Sequence, residues 1–164
     1  MDTRKVEKTA SLVIALSAVC LSLIGVDDWH SVGIYAGCSL RSRLLYPFFH
    51  ANLFHATMNV WCLLSVVFIY DVSIWRLLLA FVVAATVPVG MLGMDAPTVG
   101  LSGMVFVLFG TLSFEVLRKR YYQMWMLFYL ALGFLLPNTN ALLHLYCYAV
   151  GFVISVLNKP IKVK

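Results

Sequence analysis

Residues Tyr121 to Asn158 read YYQMWMLFYLALGFLLPNTNALLHLYCYAVGFVISVLN, 38 positions without an Asp, Glu, Lys or Arg. A helix rises about 1.5 Å per residue, so roughly 20 residues cross the ~30 Å hydrocarbon layer of a bilayer. The stretch is too long for one crossing and long enough for two. Pro137-Asn138-Thr139-Asn140 divides it with turn chemistry, since Pro cannot continue a helix and Asn readily adopts turn conformations. A hairpin of two membrane helices, residues 121–137 and 141–158, follows. With it comes the expectation of an all-α, polytopic membrane protein.

Toward the N-terminus the same criterion gives four more spans, at about 98–117, 74–94, 47–70 and 9–26, hence a six-helix bundle forming one domain over 1–164. The fourth span is closed by Arg118-Lys119-Arg120, and the third contains Pro88, which a membrane helix tolerates when neighbours satisfy the freed carbonyl. The run 9–26 follows Arg4, Lys5 and Lys8 as a secretory leader would. Its 18 residues suffice to span, and Val19 stands where a small residue would precede a lipid-modified Cys20, so it reads as a retained first helix. Composition agrees, with 62% hydrophobic and 12% charged residues and no polar stretch large enough for a soluble domain.

The net charge of +5 does not indicate nucleic acid, because the basic residues sit at the ends of apolar runs. Arg4, Lys5, Lys8, Arg76, Arg118, Lys119, Arg120, Lys159, Lys162 and Lys164 fall on one side of the six crossings, and only Arg41 and Arg43 on the other. The positive-inside rule makes the first side cytoplasmic, with both termini there. Cys20, Cys38, Cys62 and Cys147 show no C-x-x-C spacing, so neither a disulfide framework nor a metal site is expected, and no cofactor is implied.

Polar side chains inside a membrane are functional candidates. His50, His55 and Asn59 lie in the outer half of the second span, Ser102 near the outer end of the fourth and His144 near that of the sixth. If Arg118 marks the cytoplasmic surface, residues 102–117 rise roughly 24 Å, leaving Ser102 several Å below the outer one. Gly100-Leu101-Ser102-Gly103 removes bulk around the serine. Taken alone it fits a small-residue packing stripe as well, continued by Phe106, Gly110 and Ser113. His144, Cys147, Gly151 and Ser155 form a small-residue ladder that suits close packing on the fourth helix, so Ser102 and His144 are expected to meet. His55 and Asn59, at i and i+4, share a face and can donate hydrogen bonds to an oxyanion. His50 and Asn52 are assigned solvent contact or loop tethering.

With these residues in place the chain resembles the rhomboid intramembrane serine proteases. The resemblance runs from Arg43 to Gly151. Arg43-Leu44-Leu45-Tyr46-Pro47-Phe48-Phe49-His50-Ala51-Asn52-Leu53-Phe54-His55-Ala56-Thr57-Met58-Asn59 is similar to the family's H-x4-H-x3-N helix with its preceding arginine segment, here one residue shorter than usual. Gly100-Leu101-Ser102-Gly103 is similar to its G-x-S-G, and His144 with Gly151 to its last helix. Phe106 replaces a frequent tyrosine and Cys147 a frequent glycine. The resemblance implies a multi-pass protein that cleaves transmembrane segments of other membrane proteins; with no organellar targeting sequence or large extra domain evident, a bacterial inner membrane is the expected location. Access would lie beside the fifth helix, near Tyr122, Trp125, Phe128 and Tyr129.

Chemically, Ser102 needs a base, and His144 is the one available. No carboxylate is expected beside it: Asp2, Glu7, Asp71 and Glu115 fall toward the cytoplasm, and Asp27, Asp28 and Asp95 in external loops. Phe106 is the expected stacking partner of the imidazole, and the Ser102 N–H with His55 and Asn59 the expected oxyanion donors. Two other readings use the same residues: a haem held by His55 and His144, and a non-catalytic rhomboid-like protein that binds membrane clients.

Overall fold

The computed structural model describes residues 3–158; Lys159, Lys162 and Lys164, three of the charges expected on the cytoplasmic side, lie outside them. The fold is all-α. Seven α-helices follow one another among the described residues: α1 Thr3–Ser22, α2 Leu40–Leu45, α3 Leu53–Tyr70, α4 Ile74–Ala85, α5 Ser102–Thr111, α6 Lys119–Leu135 and α7 Ala141–Leu157. An isolated antiparallel bridge pairs Ile34 with Thr98.

Helix α5 is the centre of the bundle. Between Gly103 and Thr111 only Phe106 and Phe109 are not fully buried, the pattern of a helix that is apolar all round and enclosed by others. It packs most extensively on α7 and next on α4, while α1 lies on α3 and α6 rests mainly on α7. Leu63 and Val67 from α3, Leu77 and Ala84 from α4, Met104 and Leu108 from α5 and Leu143 from α7 share one core. The outer surface is apolar too: Phe54, Trp61, Trp75 and Leu135 are 71–79% exposed.

The α5–α7 crossing depends on two glycines. A Cβ on Gly151 would strike the Val107 carbonyl oxygen, and one on Gly110 the Tyr148 oxygen, so the two backbones touch. Such contact is open only to residues without a side chain. The ladder expected along His144, Cys147, Gly151 and Ser155 therefore does meet the fourth apolar segment.

Several helix limits differ from the expected spans. The hairpin fits best, α6 and α7 falling within two residues of 121–137 and 141–158. Helix α1 begins at Thr3 rather than residue 9 and ends at Ser22 rather than 26, so Arg4, Lys5 and Lys8 belong to the helix. The segment 47–70 is helical only from Leu53, after Asn52 caps α3 by accepting the His55 N–H at 2.8 Å. His50 thus precedes the helix instead of lying within it.

Helix α4 stops at Ala85 rather than 94, because Pro88 lacks an N–H and biases its predecessor away from helical torsions. Its last carbonyls are satisfied from elsewhere: Tyr46 Oη donates to Ala84 O at 3.0 Å, and Arg43 Nη1 to Ala85 O at 3.1 Å and Val87 O at 2.9 Å. The expected span 98–117 is helical only over Ser102–Thr111, about 15 Å. Before it, Thr98 is extended against Ile34; after it, the chain turns so that Glu115 receives two bonds from Arg76, at 2.6 and 2.9 Å. The 24 Å helical rise from Ser102 to residue 117 is therefore not what sets the depth of Ser102. Leu53–Tyr70 alone among the described helices is long and apolar enough to cross a membrane unaided; Ile74–Ala85, Ser102–Thr111 and Ala141–Leu157 are apolar but shorter.

Candidate active site

Ser102 is the first residue of α5, and His144 stands one turn into α7. Ser102 Oγ and His144 Nε2 are 2.8 Å apart. With the proton on Nδ1, the hydroxyl donates to Nε2, the arrangement from which an imidazole can take a proton during nucleophilic attack. Both side chains are half-buried, reachable yet shielded. The Phe106 ring, one turn beyond Ser102, is stacked on the imidazole with centroids 4.4 Å apart and planes at 17°.

Gly100 shapes the approach to Ser102. Its φ of +126° lies where only glycine is unstrained. A Cβ there would sit 2.9 Å from His55 Cε1, 3.0 Å from His55 Nε2 and 3.2 Å from Asn59 Nδ2. The His55 ring and the Asn59 amide thus close directly on the backbone two residues ahead of Ser102. Asn59 Nδ2 is buried and makes no hydrogen bond among the described residues, an unsatisfied donor of the kind an incoming oxygen would complete. The first N–H groups of α5, Ser102 included, have no acceptor within their helix.

His50 is 3% exposed, which rules out solvent contact and leaves tethering. Its Nε2 accepts the Leu101 N–H at 3.2 Å, and its ring meets His55 edge to face at 5.0 Å. Gly103 is approached by side chains rather than by another backbone: a Cβ would lie 2.8 Å from Tyr46 Oη and 3.6 Å from Cys147 Sγ. Tyr122 does not face outward with Trp125, Phe128 and Tyr129, because its hydroxyl donates to Phe109 O at 2.6 Å and ties α6 to α5.

No family model matches the chain, and no curated protein does. The residues themselves must carry the assignment.

Sequence reasoning passed over three participants. Tyr46, fully buried, accepts the Gly100 N–H at 2.9 Å through its carbonyl and so holds the loop leading to Ser102. Arg43 braces the same wall through the end of α4. Both lay inside the quoted arginine segment, but nothing local shows which distant carbonyls they reach. Asn140, read only as a turn residue, donates from Nδ2 to Thr98 Oγ1 at 3.0 Å. A cavity of about 670 Å³ opens between residues 93–99 and 138–142, with His55 and Trp29 on its wall and Ser102 and His144 outside its lining.

Proposed function

We propose that the chain is a rhomboid-type intramembrane serine endopeptidase, a six-span protein that cleaves transmembrane segments of other membrane proteins. The 2.8 Å contact between Ser102 Oγ and His144 Nε2 carries this reading, supported by the Phe106 stack that orients the imidazole. As Oγ attacks a peptide carbonyl, its proton passes to Nε2. The oxyanion is received by the Ser102 N–H, Asn59 Nδ2 and His55, the last two closing on the backbone at Gly100. His144 then protonates the leaving amine, and water hydrolyses the acyl-enzyme by the same relay. A haem clamped by His55 and His144 has weaker support, since Nε2 of His144 is already directed at Ser102.

A bilayer is the solvent that suits the exposed Phe54, Trp61, Trp75 and Leu135, since water does not favour so many large apolar side chains at the surface. Helices α1, α3, α6 and α7, of 17 to 20 residues, supply four crossings. The shorter α4 and α5 supply two more, extended by irregular segments whose polar groups are tied by Arg43, Tyr46 and Ile34, as non-helical backbone at membrane depth requires. The distribution of Lys and Arg supports a cytoplasmic side for both termini and an outward-facing site, and the proposed location is a bacterial inner membrane.

Reconstitution in proteoliposomes with a single-span reporter carrying small residues at the outer end of its helix tests the reading. Wild type cuts the reporter within or beside its span and Ser102→Ala does not. An intact reporter with both proteins, on lipid-reconstituted and folded chain, favours a non-catalytic binder instead.

A further inference from the structure

Ser102 and His144 are not the only link between their two arms. Thr98 lies four residues before Ser102 and Asn140 four before His144. The 3.0 Å bond from Asn140 Nδ2 to Thr98 Oγ1 therefore forms a second rung outside the dyad. Neither end is free to turn away. Asn140 Oδ1 caps α7 by accepting the Leu143 N–H at 3.0 Å, which fixes the oxygen and leaves the amide nitrogen facing Thr98. Thr98 is clamped in turn by reciprocal backbone bonds with Ile34, at 2.9 and 3.0 Å.

The geometry below the dyad explains what such a rung would do. Helices α5 and α7 touch at Gly110 and Gly151, eight and seven residues beyond Ser102 and His144. Eight residues of helix make a lever of about 12 Å, on which a splay of about 5° separates the reacting atoms by roughly 1 Å. A displacement of that size is enough to slow an enzyme greatly. We infer that Thr98 and Asn140 are positioning residues, whose hydrogen bond straps the outer ends of α5 and α7 and holds Ser102 Oγ at bonding distance from His144 Nε2. The inference rests on the proteolytic reading for its consequence in catalysis, but the strap itself does not need that reading.

Three variants separate the strap from the cap. Thr98→Val keeps the shape and loses the hydroxyl. Asn140→Ser keeps a capping oxygen but is too short to reach residue 98, and Thr98→Ser restores the hydroxyl. Two readouts are taken on detergent-solubilised full-length protein: the rate of Ser102 labelling by a fluorophosphonate, and the 15N resonance of His144 Nε2, which reports its hydrogen bond to Ser102 without requiring activity. Thr98→Val and Asn140→Ser slow labelling about 5- to 10-fold and move the resonance toward that of Ser102→Ala. The double variant is no slower than either single one, because both break the same bond. Thr98→Ser stays within about two-fold of wild type.

An unchanged labelling rate and resonance in Thr98→Val overturns the strap and leaves the protease reading standing. So does a double variant whose defect multiplies those of the singles. Wild type that is not labelled, but whose His144 resonance moves in Thr98→Val and returns in Thr98→Ser, supports the strap and overturns the protease reading. Absence of both effects overturns both.

Discussion

The ring of Phe106 lies flat on the imidazole of His144, 4.4 Å between centroids and 17° from parallel, where a charged third partner would otherwise be sought. A stack restricts rotation of the imidazole about its own χ2 without adding a buried charge. Such a contact is worth about 0.5–1.5 kcal/mol, or roughly two- to tenfold in rate if it acts on the transition state. Phe106→Ala is expected to slow fluorophosphonate labelling within that range, while Phe106→Tyr, which keeps the ring, stays close to wild type.

Asn59 separates stability from activity. Its buried Nδ2 has no acceptor among the described residues, so on the proteolytic reading the folded protein gains nothing from that donor until an oxyanion forms. Asn59→Leu, similar in shape and apolar, is expected to lower turnover about 100-fold while leaving thermal unfolding in detergent unchanged or slightly raised. Parallel losses of stability and turnover would mean that the amide is structural.

Gly151 faces the opposite constraint. A methyl group there meets the Val107 carbonyl, which no rotamer change can relieve. Gly151→Ala should destabilise the bundle by about 1–3 kcal/mol, measured by denaturant unfolding in mixed micelles, and lower labelling as the α5–α7 contact opens. Wild-type stability in this variant would show that the helices do not cross this closely.

Arg43 braces the wall behind the site. Removing it leaves the Ala85 carbonyl without that donor and Val87 O with the Val89 N–H alone, a loss of about 1–3 kcal/mol for a buried group. Arg43→Ala is expected to show this in the same unfolding assay, and Arg43→Lys to recover part of it. A change below about 0.5 kcal/mol, typical of an unconnected surface residue, would place Arg43 outside the brace.

What could be read directly from the sequence is what obeys a short period. Ser102 to Phe106, His55 to Asn59 and His144 to Gly151 are intrahelical spacings, so their shared faces, the stack and the glycine crossing were all foreseeable. The 121–158 hairpin was equally legible, because its turn carries its own chemistry. The lengths of α4 and α5 were not. A charge-free run records where the chain stays apolar, not where it stays helical, and the non-helical 86–101 segment is stabilised by Arg43, Tyr46, His50 and Ile34 from far along the sequence. The Thr98–Asn140 bond escaped for the same reason: 42 residues separate its ends, and neither residue stands out alone.

The central claim is that Ser102 is made nucleophilic by His144. Mass spectrometry of the purified protein after fluorophosphonate treatment examines it most directly. One adduct on Ser102 is predicted, absent from Ser102→Ala and lost or greatly slowed in His144→Ala. An adduct that persists in Ser102→Ala, or Ser102 labelling at an undiminished rate in His144→Ala, would contradict it.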